Sequence, residues 1–196
     1  MTMLNPNFVF LSIVIGSFGS FGYLVETLRG RAKPNKVTFL LWSFPALITL
    51  IVQVQEKVGI ISLMTASMVI VPFLIFLASF VNKKAKWKVT KFDILCGVFS
   101  FIGLVFWMIT KEGVVAILFS IVADFLAGLP TVIKSYKHPE TEVAWAWLLG
   151  AIGMVIALLT LPSWTFINSA FFIYGFFFMF LLFVLVQFKI GRKKEA

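Results

Sequence analysis

The chain has 196 residues, of which 61% are hydrophobic and only 13% charged, and its mean hydropathy is +1.03. A water-soluble domain of this length keeps polar groups at its boundary and cannot hide so much apolar surface, so lipid is the expected solvent for most of the chain. The net charge of +9 does not indicate a nucleic-acid binder, because the basic residues sit in short segments between apolar runs. None of those segments is long enough to form a basic soluble module.

Seven apolar runs follow in chain order, at 8–28, 37–54, 58–81, 92–110, 113–133, 143–161 and 165–188. Each meets the roughly 17–25 residues a helix needs to cross the hydrocarbon core. The first run could pass for a secretory signal, but no basic residue precedes it and four follow it (Arg29, Arg31, Lys33, Lys36). It is expected to stay as a membrane span.

All but two of the 17 Lys and Arg lie on alternate connections: the first, third and fifth loops and the C-terminal tail. The exceptions are Lys57 and Lys111. Basic residues beside apolar spans resist translocation. Seven spans with the N-terminus outside and the C-terminus cytoplasmic are therefore expected. The third loop, Lys83-Lys84-Ala85-Lys86-Trp87-Lys88, is also a candidate contact for anionic lipid head groups, although topology alone accounts for it.

The chain repeats itself. With Pro34 placed on Pro139, an offset of 105 residues, Leu24 meets Leu129, Arg29 meets Lys134, Trp42 meets Trp147 and Ala46 meets Ala151. The first three runs fall on the last three. This divides the chain into a three-helix unit at 1–82, a linker helix with its basic loop at 83–112, and a second three-helix unit at 113–196. The odd fourth span lets both units run in the same direction. The expected fold is all-α and integral to the membrane, with two parallel three-helix bundles joined by a linker helix.

This 3+1+3 arrangement resembles the SWEET and PQ-loop superfamily of small-solute carriers. The superfamily's Pro-Gln signature appears here as Leu129-Pro130-Thr131, while the first unit departs from it with Leu24-Val25-Glu26. The stretch around Lys33-Pro34-Asn35 and Trp42 is similar to a bacterial SWEET-like group without an assigned activity. The resemblance implies transport of a sugar-like solute or another small polar metabolite.

Asp124 stands eleven residues into the fifth run, roughly 16 Å deep at 1.5 Å per residue. A carboxylate near mid-membrane costs ~2.5–3.5 kcal/mol on insertion scales and so faces a cavity or a partner. It either binds a solute or carries a proton, or it locks the fifth helix to a neighbour. Ser120, Asp124, Gly128 and Thr131 share one helical face.

Trp42 and Trp147 sit in the second helix of each unit. The resemblance implies that they bracket a ring-shaped solute; the alternative is an interfacial aromatic belt, for which Trp87 and Trp145 are better placed. Asn168 matches the asparagine with which the superfamily grips solute, with Thr65 near its counterpart; helix packing is the competing role. Thr38, Trp42, Pro45, Thr49 and Gln53 form a stripe on the second run. Pro45 and Pro130 are hinge candidates.

Glu26 is expected to pair with Arg29, and His138 to be solvated. The seventh run, rich in Phe, is expected to face lipid. No metal-ligand cluster, cofactor motif or catalytic set is present, and no second polar group near Asp124 is apparent, so an enzyme is not expected. The single cysteine, Cys96, has no disulfide partner. The competing function on the same scaffold is a non-transporting receptor, lipid-handling protein or assembly protein.

Overall fold

The computed structural model describes residues 4–5, 7–55, 62–109, 113–161 and 163–191. Within its helices, the side chains at 45–46, 48–49, 51–55, 62–65, 104, 107–108, 113, 116 and 167–168 lie outside that description. The described residues form seven α-helices: α1 (Phe8–Leu28), α2 (Lys36–Gln55), α3 (Ser62–Val81), α4 (Lys91–Ile109), α5 (Gly113–Lys137), α6 (Ala144–Leu159) and α7 (Phe166–Phe188). Single 3-10 turns lie at Lys83–Ala85 and Pro139–Thr141.

Among the described residues, Phe8–Leu28, Ile117–Lys137 and Ser169–Phe188 are each long and apolar enough to cross a membrane. The outer surface agrees with such an environment, since large apolar side chains such as Val14, Phe18 and Phe177 are more than 60% exposed. Contiguous exposed apolar surface of this kind marks a face that meets something other than water.

Local chemistry explains the helix ends. α1 stops where Gly30 adopts φ +77, and the Asn82 amide donates to the orphan Leu28 carbonyl at 2.7 Å. A Cβ at Gly30 would lie 2.9 Å from Asn82 and Lys84, so glycine is required there for space as well as for conformation. α2 is capped by Asn35, whose side-chain oxygen accepts the Val37 N–H at 3.0 Å. α4 opens on a reciprocal cap: the Thr90 N–H donates to the Asp93 carboxylate at 2.8 Å, and the Asp93 N–H donates to Thr90 Oγ1 at 3.2 Å.

The helices pack in a pattern that recurs. α1 and α2 both pack on α3, and α5 and α6 both pack on α7. Across the molecule α1 packs on α6 and α2 on α5, while α4 lies against α5 and α2. Small residues set the close approaches. At the α1–α6 contact Ser12 Oγ donates to the Gly153 carbonyl at 2.8 Å, and a Cβ on Gly19 would meet the Ala146 carbonyl at 2.9 Å. Ser100 Oγ of α4 donates to the Ala123 carbonyl of α5 at 2.6 Å, and a Cβ on Gly103 would meet the Ala123 Cβ at 3.1 Å. Such small residues let helix backbones approach closely.

Two expectations are corrected. The fifth helix does not stop at 133 but runs to Lys137, so Lys134 belongs to its last turns and is buried. The seventh helix does not simply face lipid, because it packs on both α5 and α6. Phe177 and Phe180 point outward, whereas Phe178, Leu182 and Val186 belong to the core.

Candidate functional site

A cavity of about 460 Å³ lies between α1–α3 on one side and α5–α7 on the other. Its lining runs along α1 from Ser12 to Tyr23, roughly 16 Å at the helical rise of 1.5 Å per residue. One wall of α6 is nearly without side chains, with Ala146, Gly150, Gly153 and Ala157 all on the lining. Their spacing of three and four keeps one small-residue face toward the space.

The end nearest the basic turns is floored by aromatic rings. Trp42 and Trp147 meet edge to face with centroids 6.1 Å apart, Trp42 meets Phe178 at 6.0 Å, and Tyr23 meets Trp147 at 5.6 Å. These are favourable edge-on arrangements. The two tryptophans expected to bracket a solute are thus in mutual contact, and both line the cavity.

Asp124 of α5 lines the cavity, and among the described lining residues it is the only one with a charged side chain. The Tyr174 hydroxyl of α7 donates to its Oδ2 at 2.7 Å. Trp42 Nε1 reaches the Asp124 backbone carbonyl at 3.4 Å. Ser120 lines the cavity one turn above Asp124. Gly128, one turn below, leaves room for Phe178 and Trp42: an added Cβ there would stand 2.3 Å from the Phe178 ring and 3.0 Å from Trp42. At the end of this face Thr131 Oγ1 donates to Thr38 Oγ1 at 3.0 Å, and Thr38 Oγ1 donates to the Ala127 carbonyl at 2.6 Å. Pro130, with no N–H, leaves the Leu126 carbonyl without its helical donor in the same stretch.

Behind the aromatic floor lies a buried ion pair. Lys134 Nζ and Glu142 Oε1 are 2.5 Å apart with side chains 1% and 0% exposed. Trp147 Nε1 donates to Glu142 Oε2 at 3.1 Å, which ties the floor to the pair. Lys134 also donates to the Lys33 carbonyl, and the Lys33 N–H donates to the Thr141 carbonyl at 2.9 Å. The two proline-containing turns that match in the sequence therefore bind each other. The Lys134 ammonium lies 5.2 Å from the Trp87 ring centroid. A buried pair of this kind adds little net stability, but removing one partner strands the other charge.

Of the residues singled out from the sequence, Trp42, Trp147, Asp124 and Ser120 come together at the cavity. Pro130 is buried within α5 away from the lining. Pro45, Thr65 and Asn168 have side chains outside the described residues. Glu26 pairs with Arg29 at 3.1 Å and also with Arg31, and His138 is exposed with Glu140 at 3.5 Å. Lys83, Lys84, Lys86 and Lys88 are exposed around the buried Ala85.

Tyr174 supplies the second polar group at Asp124 that the sequence did not reveal. Its signal was slight: a tyrosine set among phenylalanines brings one hydroxyl into an apolar helix, and a buried hydroxyl needs a partner. The buried roles of Lys134 and Glu142 were missed because each reads as a loop charge.

Comparison of the chain with protein-family models, with curated proteins and with solved structures gives no match.

Proposed function

We propose that this chain is a small-solute transporter or facilitator of the membrane, moving a sugar-like solute or another small polar metabolite by alternating access. In this reading all seven helices span the bilayer, with the N-terminus outside and the basic turns cytoplasmic. The three-helix units 1–82 and 113–196 rock about the linker helix, as the SWEET and PQ-loop resemblance implies. The observation that carries the reading is the cavity between the two sets of helices, whose described lining holds one carboxylate, at mid-helix. The reciprocal packing of α1 on α6 and α2 on α5 supports a duplicated unit. The Lys134–Glu142 pair and the tryptophan floor then act as the closed gate on the cytoplasmic side. The exposed lysines of 83–88 rest at anionic head groups.

Cysteine accessibility tests this. Cys96 is the single cysteine of the sequence, so Cys96→Ser gives a background without thiols, and Ser20→Cys places one thiol on the cavity lining. A membrane-impermeant maleimide is expected to label it from the N-terminal side, and from the basic-loop side once Glu142→Gln opens the gate. Labelling that never shifts sides under any condition contradicts alternating access and favours a receptor built on a one-sided site.

A further inference from the structure

We propose that the cavity takes a small organic cation, with its ammonium group seated between the Asp124 carboxylate and the rings of Trp42, Tyr174 and Phe178. This rests on reading the cavity as a solute site and specifies the chemical class of the solute. Three observations carry it.

The first is charge. Among the described lining residues Asp124 is the only one that is charged. The nearest buried cation behind the floor, Lys134, is already matched by Glu142. A ligand with a single positive charge balances Asp124, and a carboxylate left unbalanced in such surroundings is costly.

The second is the ring arrangement. Tyr174 and Phe178 have centroids 5.7 Å apart, and Phe178 and Trp42 6.0 Å apart. Tyr174 and Trp42 both hydrogen-bond to Asp124, one at the side chain and one at the backbone. The rings thus form a connected arc around the residue that bears the charge. Aromatic rings with a carboxylate attract ammonium groups through their electron-rich faces, most strongly where water is excluded.

The third is how the hydrogen-bonding groups nearest the rings are used. The Trp147 N–H is committed to Glu142, the Trp42 N–H to the Asp124 carbonyl, and the Ser12 hydroxyl to the Gly153 carbonyl. The hydroxyls of Ser17, Ser20 and Ser120 also line the cavity, so a hydroxyl carried by the cation, as in choline, can be paired there. Met68, Met154 and Met179 also line the cavity, with soft, adaptable contacts suited to an N-alkyl group.

The test uses the full chain in lipid nanodiscs and equilibrium binding by tryptophan fluorescence and calorimetry. The probes are choline and benzyltrimethylammonium, set against 3,3-dimethylbutan-1-ol (the neutral carbon isostere of choline) and glucose. At least one cation is expected to bind at least about tenfold more tightly than the neutral compounds, from the strength of a desolvated cation–π contact. Asp124→Asn is expected to abolish that preference, and Tyr174→Phe to weaken it, with the helical circular-dichroism signal retained. The comparison of cation with isostere on the unmodified protein stands without either variant.

Equal binding of choline and its isostere, or an unchanged cation preference in a folded Asp124→Asn protein, overturns the proposal. Glucose binding without cation binding overturns the cation assignment and leaves the solute-site reading standing. No binding by any probe, together with no uptake of any solute, overturns both.

Discussion

Replacing Glu142 by glutamine removes the charge that balances Lys134 and changes almost nothing else in shape. Both side chains are essentially without exposure, so solvent cannot take over the lost role. Stranding one charge of a buried pair costs about 3–5 kcal/mol. Lys134 keeps the Lys33 carbonyl and the Trp87 ring, and a ring contact is worth about 0.5–2 kcal/mol. The expected loss therefore sits near the lower end, about 3 kcal/mol.

Reversible unfolding in mixed micelles, followed by helical circular dichroism, measures it. The double variant Lys134→Met/Glu142→Leu should recover much of the loss, because an apolar replacement strands neither charge, and the double-mutant cycle should show strong coupling. A Glu142→Gln protein within about 0.5 kcal/mol of the parent, or single effects that simply add, would refute the buried-pair account.

Further outcomes follow from the same packing. Gly128→Ala drives a Cβ into Phe178 and Trp42, so a loss of about 1–3 kcal/mol from overpacking is expected, with a shift in tryptophan emission as the floor moves. An unshifted spectrum would mean that the rings are not seated there. Gly19→Ala meets the Ala146 backbone carbonyl, which cannot swing aside as a side chain can. It should weaken the α1–α6 contact more than Ser12→Ala, whose lost hydrogen bond is worth about 1 kcal/mol; the order of the two melting temperatures checks this. Glu26→Gln breaks pairs with arginines that are largely exposed, and its melting temperature should match the parent's, unlike that of Glu142→Gln.

What the sequence made legible is what depends on long, one-sided signals. Seven apolar runs stand where seven helices form, because run length and hydropathy need no knowledge of neighbours. Asp124 was legible because a carboxylate in an apolar run must have a reason. Trp42 and Trp147 stand out in the sequence because they align at an offset of 105 residues, but their edge-to-face contact depends on how closely α2 and α6 approach.

Tyr174 and Asp124 are 50 residues apart, and nothing local to either residue specifies the contact. Lys134 reads as a water-facing charge because its partner, Glu142, lies beyond a 3-10 turn that only folding brings back over the helix. The extension of α5 to Lys137 was hidden for the same reason: the apolar pattern ends before the helix does. One face of α7 is exposed and the other belongs to the core, and a helix that is apolar all round does not announce which side is core.

The central claim, that the cavity is a solute pathway, is tested most directly by uptake into proteoliposomes. Radiolabelled organic cations, sugars, vitamins and amino acids would be supplied one at a time to vesicles holding the parent chain or Asp124→Asn. The account predicts saturable uptake of at least one solute by the parent chain and its loss in Asp124→Asn, with both proteins equally folded. No uptake of any solute, or uptake indifferent to Asp124, would contradict it.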